Sequence, residues 1–273
     1  TYPWSNNDRD VVNQRDMHYG FINYSSALAA DLILFNSHYH LQSFSEELPR
    51  FLKSFPDNNE LVTARLIREK SMVLHLGMDL KQFDAFKPSQ ERRQETRPPL
   101  ILWNHRWEYD KNPEEFFTLL YRLDQNGLDF QVAVLGECFL QKTEVFLEAK
   151  NKLNEKIVQF GFVDNFADYA TWLWKADIIP VTSRHDFFGA SVVQALYCNC
   201  YPLLPKRLSY AEHLPGEVHS RFLYDDFDDL LGRITNLIAT IQEVRREKTQ
   251  HYIRKYDWQF ITDIYDNTFE ALL

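Results

Sequence analysis

The sequence predicts an α/β fold built on parallel, doubly wound sheets, and three observations carry that prediction. From residue 100 onward, short apolar runs alternate with helix-length amphipathic segments, the pattern of strands joined by crossover helices that cover both sheet faces. The chain holds only 8 glycines, and Gly77, Gly136, Gly161 and Gly189 each follow an apolar run, where a strand gives way to a loop. Residues 85–99 (AFKPSQERRQETRPP) are polar and charged, and Pro88, Pro98 and Pro99 stop any helix there, so the stretch reads as a linker between two units.

In chain order, residues 1–16 show no period and read as a loop. A helix is expected over 19–30 and a buried strand over 31–35 (DLILF). Asn36-Ser37 then caps a helix over 38–44. Amphipathic pieces at 51–55 and 61–70 flank a Pro56-Asp57-Asn58-Asn59 turn, and a strand over 71–76 ends at Gly77. Beyond the linker come strand 100–105, helix 113–126 with Pro113 in its first turn, strand 130–135, helix 140–153, strand 157–160 and helix 166–175. Strand 178–181, a polar loop, helix 190–196 and strand 200–204 come next, then a short strand at 221–223, a long helix over 228–248 and a final helix over 256–273. Residues 100–250 thus make a complete doubly wound domain. Residues 1–84 hold only two strand candidates and read as the remainder of a similar domain, the rest of it missing or supplied by another chain. Residues 251–273 are expected to pack as a helix between the two.

The totals narrow the function. Apolar residues make up 45% of the 273, enough for a substantial core, and the formal charge is −9, with the acidic excess concentrated after residue 98. Such a chain is unsuited to sequence-independent nucleic-acid binding, which rests on phosphate neutralisation, although a local basic patch for one RNA stays open. The basic concentrations in the first part, Arg65/Arg68/Lys70 and Arg92/Arg93/Arg97, read as solvated faces. Cys138, Cys198 and Cys200 are too few for a disulfide framework, and Cys198-x-Cys200 has no second ligand pair, so buried thiols rather than a metal site are expected. No signal peptide and no apolar run long enough for a bilayer are seen, which points to a cytoplasmic setting without a membrane partner.

The chemistry concentrates at the ends of the strands. In a doubly wound sheet, ligands bind outside the carboxyl ends, and a helix N-terminus there favours an anion. Residues 176–205 read as strand, loop, helix, strand, with Asp186 at the mouth of the loop, Gly189 allowing close backbone approach, and Gln194 two helical turns on. Asp186 suits sugar hydroxyls or a positive charge, and equally suits an N-cap. Gln194 also suits an ordinary helix surface. Arg106 and Lys111 come after the first strand of the second domain and suit a diphosphate; they also suit a solvated pair bridging Glu108 and Asp110. His105 and His185 sit beside these loops and read as structural histidines. Phe187 and Phe188 read as wall or core. Glu137, Cys138, Phe162 and Val163 end the next two strands, where backbone groups either meet a nucleotide base or pack as plain loops. The apolar residues of 256–269 recur at helical spacing and read as packing.

Taken together these residues resemble the retaining GT-B glycosyltransferases of family 4. Leu76-Gly77-Met78-Asp79 with Phe83 resembles its interdomain crossing, and Arg106-x4-Lys111 its basic pair. Phe160-Gly161-Phe162-Val163 resembles its base loop, and Asp186-Phe187-Phe188-Gly189 through Gln194-Ala195 lies on its two-acid motif with the seven-residue spacing kept. A closer resemblance, over nearly the whole chain, is to the tRNA-queuosine mannosyltransferase group, through TYP, YGFINYSSALAAD, LFNSHY, ILWNHRWEYDKNPEEFF, HDFFG and ALYCNCYPLLPK.

The resemblance implies two Rossmann-like domains, the first incomplete in this chain, and a metal-independent reaction with a nucleotide-sugar donor, GDP-mannose. The implied acceptor is queuosine in tRNA. It implies that Arg106, Lys111 and Asp186 are catalytic, the two cations holding the diphosphate and stabilising the departing nucleotide's charge and Asp186 contacting the donor sugar, and that Phe162 lies at the base. It further implies that Phe188, Gly189, Ala190 and Ser191 approach phosphate and sugar, and that Gln194 meets the ribose. Asp186 and Gln194 both stand where the family carries glutamate. Two other readings stay open: transfer to a non-RNA acceptor, separable by offering a panel of tRNAs, and a nucleotide-sugar or RNA-binding module without catalysis, recognisable by binding without transfer.

Overall fold

The computed structural model describes residues 17–57, 59–89, 96–137 and 144–273, so Cys138, Arg92 and Arg93 lie outside the described residues. The chain divides into two compact units, Thr1–Leu76 and Gly77–Leu273.

In the first unit, α1 (Met17–Ala29), β1 (Ile33–Phe35), α2 (His38–Leu52), α3 (Leu61–Glu69) and β2 (Ser71–Val73) succeed one another, and β1 and β2 pair in parallel. Ser37 caps α2 by accepting the His40 N–H at 3.0 Å. This helix runs on to Leu52, well past the expected end at Phe44. Leu41, Leu48 and Leu52 bury along one side of it, and Pro49 sits in its last turn, where it forgoes one backbone hydrogen bond. Tyr24, Ala27, Leu48, Leu52 and Ile67 form the unit's core. The expected solvated basic cluster is only partly so: Lys70 Nζ donates to the Leu28 carbonyl at 2.8 Å and to that of Ala30, closing the C-terminal end of α1.

The second unit contains β3 (Leu100–Trp103), α4 (Pro113–Gln125), β4 (Gln131–Val134), α5 (Glu144–Lys152), β5 (Ile157–Phe160), α6 (Phe166–Lys175), β6 (Ile178–Pro180), α7 (Ala190–Tyr197), β7 (Tyr201–Pro205), α8 (His219–Phe222) and β8 (Leu223–Tyr224). Four further helices close it: α9 (Phe227–Ala239), α10 (Ile241–Val244), α11 (Gln250–Ile253) and α12 (Trp258–Glu270). Its strands are all parallel in the order β5-β4-β3-β6-β7-β8, the expected doubly wound sheet. The central strands β3 and β6 are apolar and buried throughout, as strands covered on both faces must be. The order reverses between β3 and β6, which opens a crevice at their carboxyl ends.

Several expectations change. The long helix over 228–248 is broken after Ala239, and beyond the break Arg245 turns inward: it reaches Asp177 through Nε at 3.0 Å and its terminal nitrogen at 3.1 Å. Arg97, expected to be solvated, joins this buried pair at 2.7 Å from the same carboxylate. The last helix begins at Trp258 rather than Tyr256, since Asp257 caps it and also accepts the Leu80 and Lys81 N–H groups at 2.9 and 2.8 Å. Tyr256 and Ile261 are buried, but Trp258, Phe260, Ile264 and Phe269 stay exposed. Residues 77–86 belong with the second unit: Leu80 and Phe83 are fully buried in its core, and Trp174 donates to the Phe83 carbonyl at 2.7 Å. Cys198 and Cys200 are buried thiols, as expected. Among the described residues, no helix is long and apolar enough to cross a membrane.

Candidate functional site

The site forms where the loops after β3 and β6 meet. Asn104 ends β3, and its Nδ2 donates to the Ser191 carbonyl at 2.8 Å and to the Tyr169 hydroxyl at 3.4 Å, tying that strand to the first turn of α7. The next residue, His105, is held by its backbone. Trp103 Nε1 donates to its carbonyl at 2.9 Å, and Gly136 packs against the same group so closely that a Cβ there would stand 2.0 Å from the oxygen. With φ at +110°, position 136 admits only glycine without strain.

The His105 ring is fully buried, with Nδ1 3.0 Å from Ser191 Oγ. Burial, reinforced by the nearby Lys111 charge, lowers its pKa to about 4 against the opposing pull of Asp186 and Asp110, so the ring is neutral at pH 7. Among the described residues, buried side-chain atoms left without a partner include Asn104 Oδ1 and His105 Nε2, neighbours at the end of β3. Such atoms are uncommon in folded proteins.

Lys111 and Asp186 are brought together. Lys111 ends a short 3-10 turn, Tyr109–Lys111, held by Thr182 Oγ, whose one proton is shared between the Lys111 and Asn112 carbonyls at 3.0 Å each. The ammonium is nearly buried. It donates to the His185 carbonyl at 2.8 Å and to Asp186 at 3.3 Å, and Asp110 lies at the same distance. Arg106 is placed differently: its side chain is 56% exposed and pairs with Glu108 at 3.3 Å, at the rim.

Asp186 does not cap α7. The cap position is Gly189, at φ +82°, where a Cβ would meet Tyr210 at 2.9 Å. Instead, Asp186 accepts the Phe188 N–H at 3.2 Å and the Tyr210 hydroxyl at 3.3 Å. Burial pushes its pKa upward, but Lys111, His105 and the Phe188 N–H outweigh that and hold it below the ordinary carboxylate range. Phe188 is buried core, edge-on to His213 and Tyr256, and its carbonyl lies 2.6 Å from His213 Nε2. Ala190 and Ser191 start α7 half-buried, with first-turn N–H groups that have no acceptor within the helix. His185 is half-buried with its pKa lowered, first by that burial, and its ring stands edge-on to Phe187.

Beside this cluster lies a cavity of about 300 Å³ lined by Asn104, Gly136, Phe162, Val163, Phe166 and Tyr169, among others. Phe162 is exposed at its edge. Glu137 is also exposed, and its carbonyl is taken by the Trp107 N–H at 3.0 Å. Gln194 connects to the cavity through Tyr169, whose hydroxyl donates to Gln194 Oε1 at 2.7 Å. Burial raises the Tyr169 pKa, so it is a neutral donor. Gln194 therefore has its side-chain oxygen engaged by Tyr169.

Tyr169, Tyr210, His213 and the partnership of His105 with Ser191 escaped the sequence reading. The first three lie in segments without a strand-end signal, and only the fold carries them to the loops. The arrangement offers one buried cation and one rim cation, an ionised carboxylate, a helix N-terminus and an aromatic-lined cavity. Together they suit a ligand with a ring at one end and a diphosphate in the middle.

Comparison with known proteins identifies two stretches of the chain. Residues 85–256 match the family model of glycosyl transferases group 1, and residues 1–78 match that of the tRNA-queuosine alpha-mannosyltransferase N-terminal region. A curated tRNA-queuosine alpha-mannosyltransferase from Drosophila melanogaster is 33% identical over 247 residues, covering 88% of this chain and 64% of the relative's length. Among solved structures, sucrose-phosphate synthase from Thermosynechococcus elongatus aligns with a TM-score of 0.67 at 16% identity, over 94% of this chain and 63% of that one. Anabaena HepE in complex with UDP aligns at 0.68 and 16%, over 93% and 69%. At such identities the likeness concerns the fold alone.

Proposed function

Because the chain belongs to the glycosyl transferases group 1 family and carries the α/β GT-B fold, we propose that it serves a hexosyltransferase that moves mannose from GDP-mannose to queuosine in tRNA, with retention. The observation that carries this reading is the convergence of Lys111, Asp186 and the start of α7 at the reversal of strand order, beside a cavity of about 300 Å³. In it, the nucleotide base enters the cavity edged by Phe162, and its ribose meets the Gln194 amide. Arg106, Lys111 and the Gly189–Ser191 backbone hold the diphosphate, the Phe188 N–H being given to Asp186, and Asp186 faces the hexose hydroxyls.

Chemically, the bond between the anomeric carbon and the diphosphate oxygen breaks as an acceptor hydroxyl oxygen bonds to that carbon; the hydroxyl proton leaves with the diphosphate, and negative charge grows on the departing nucleotide. Lys111 is already fixed by three oxygens, so it stabilises that charge without reorganising, and the reading calls for no metal. The queuosine acceptor is supported by the match of residues 1–78 and by the Drosophila relative, and a cytoplasmic setting goes with it.

The test is to incubate the protein with radiolabelled GDP-mannose and tRNA that either carries or lacks queuosine, and to count label retained in the RNA. Label confined to queuosine-bearing tRNA is expected. Equal label in both, or none in either, rejects the acceptor; label from another nucleotide sugar in place of GDP-mannose rejects the donor.

A further inference from the structure

Resting on that donor-site reading, we infer that His105 is a positioning residue that donates an Nδ1–H hydrogen bond to Ser191 Oγ and so makes the Ser191 hydroxyl a hydrogen-bond donor to the substrate's phosphate.

Both partners are held from either side. Trp103 and Gly136 fix the His105 backbone, and Asn104 fixes the Ser191 carbonyl at 2.8 Å. The Nδ1–Oγ distance is 3.0 Å, and a hydroxyl has one proton to place. With no ligand, that proton can go to Nδ1. A diphosphate changes this, because its charged oxygens only accept. A Ser191 hydroxyl that faces them must donate to them, and Nδ1 must then carry the hydrogen that Oγ accepts.

The same tautomer leaves a bare lone pair on Nε2, the buried atom without a partner. An unpaired acceptor there is easier to bear than an unpaired N–H. The groups that face the ring electrostatically are Lys111, Asp186 and Asp110, with Lys111 the strongest of the three, and its positive charge favours a lone pair over a further N–H.

The experiment is calorimetric titration of GDP, UDP and ADP, with phosphate-free guanosine as control, into the wild type, Ser191→Ala, His105→Leu, His105→Asn and the Ser191→Ala/His105→Leu pair. For the diphosphate that the wild type binds, Ser191→Ala and His105→Leu should each weaken binding about tenfold, and the double variant should be no weaker than either single one. His105→Asn, whose side-chain N–H occupies the place of Nδ1, should stay within about threefold of wild type. Any binding of the phosphate-free control should be alike in all of them.

Additive losses, an Asn variant as weak as the Leu variant, or unchanged affinity in Ser191→Ala would each overturn the inference while leaving the donor reading standing. A wild type that binds none of the three diphosphates removes the donor reading, and this inference with it. Should His105→Leu fail to fold, Ser191→Ala and His105→Asn decide the matter alone.

Discussion

Replacing Lys111 with methionine removes a charge while keeping most of the volume, and the cost can be worked from the groups around it. The ammonium is 11% exposed and stands 3.3 Å from both Asp110 and Asp186, with a third bond to the His185 carbonyl at 2.8 Å. Its loss leaves two buried carboxylates facing each other without a cation. Breaking a buried pair by deleting one member costs about 3–5 kcal/mol. For a unit of this size that lowers the melting temperature on the order of 10 °C. Urea unfolding at pH 7 measures the free energy directly.

The deficit also has a pH signature. Burial raises the Asp186 pKa, and Lys111 is the leading charge that holds it down. The wild type therefore keeps the benefit of that ionised carboxylate above the unfolded value and loses it as pH falls through the folded one. The gap between variant and wild type closes on acidification, and adding Asp110→Asn to Lys111→Met recovers part of it at pH 7. Arg106→Ala is the contrast: its pair with Glu108 is at the rim, and stability should change by less than about 1 kcal/mol while transfer is lost. A Lys111→Met protein as stable as wild type at pH 7, or one that Asp110→Asn makes worse, refutes the account of this cluster.

Two further outcomes are expected. Gly136→Ala should destabilise by more than about 3 kcal/mol in urea unfolding, since the added methyl meets the His105 carbonyl at 2.0 Å and φ is +110°; a loss below about 1 kcal/mol means the loop relaxes freely. For His105, the folded pKa of about 4 lies below the unfolded 6.5, so the fold favours the neutral ring, and its contribution is complete above the unfolded value. That contribution is lost as pH falls through about 2.5 units at about 1.36 kcal/mol each, or about 3 kcal/mol in all. His185, lowered in the same direction by burial, adds to the trend. Stability measured from pH 7 to 4 in wild type and His105→Asn checks this, and identical slopes count against it.

Much of this was legible in the residues. Alternating apolar runs and amphipathic segments announced the parallel sheet because a strand covered on both faces has no polar side, and the sparse glycines marked the strand ends. Where a local signal competed with a distant partner, the reading failed. Arg97 and Arg245 look like surface cations in a linker and a helix, and nothing nearby in the chain reveals that Asp177, 80 and 68 residues away, takes both. Asp186 looks like a cap, yet its oxygens go to Phe188, Lys111 and Tyr210.

The sequence by itself determined the alternation of elements, the class of fold and the family, for these rest on periodicity and on motifs a few residues long. Tertiary structure alone decided which of those residues share a site. Reversal of strand order between β3 and β6 carries Lys111 to Asp186 across 75 residues and His105 to Ser191 across 86. Burial there then fixes the charge state of each group, because the cost of ionising a side chain depends on what surrounds it in space and not on its neighbours along the chain.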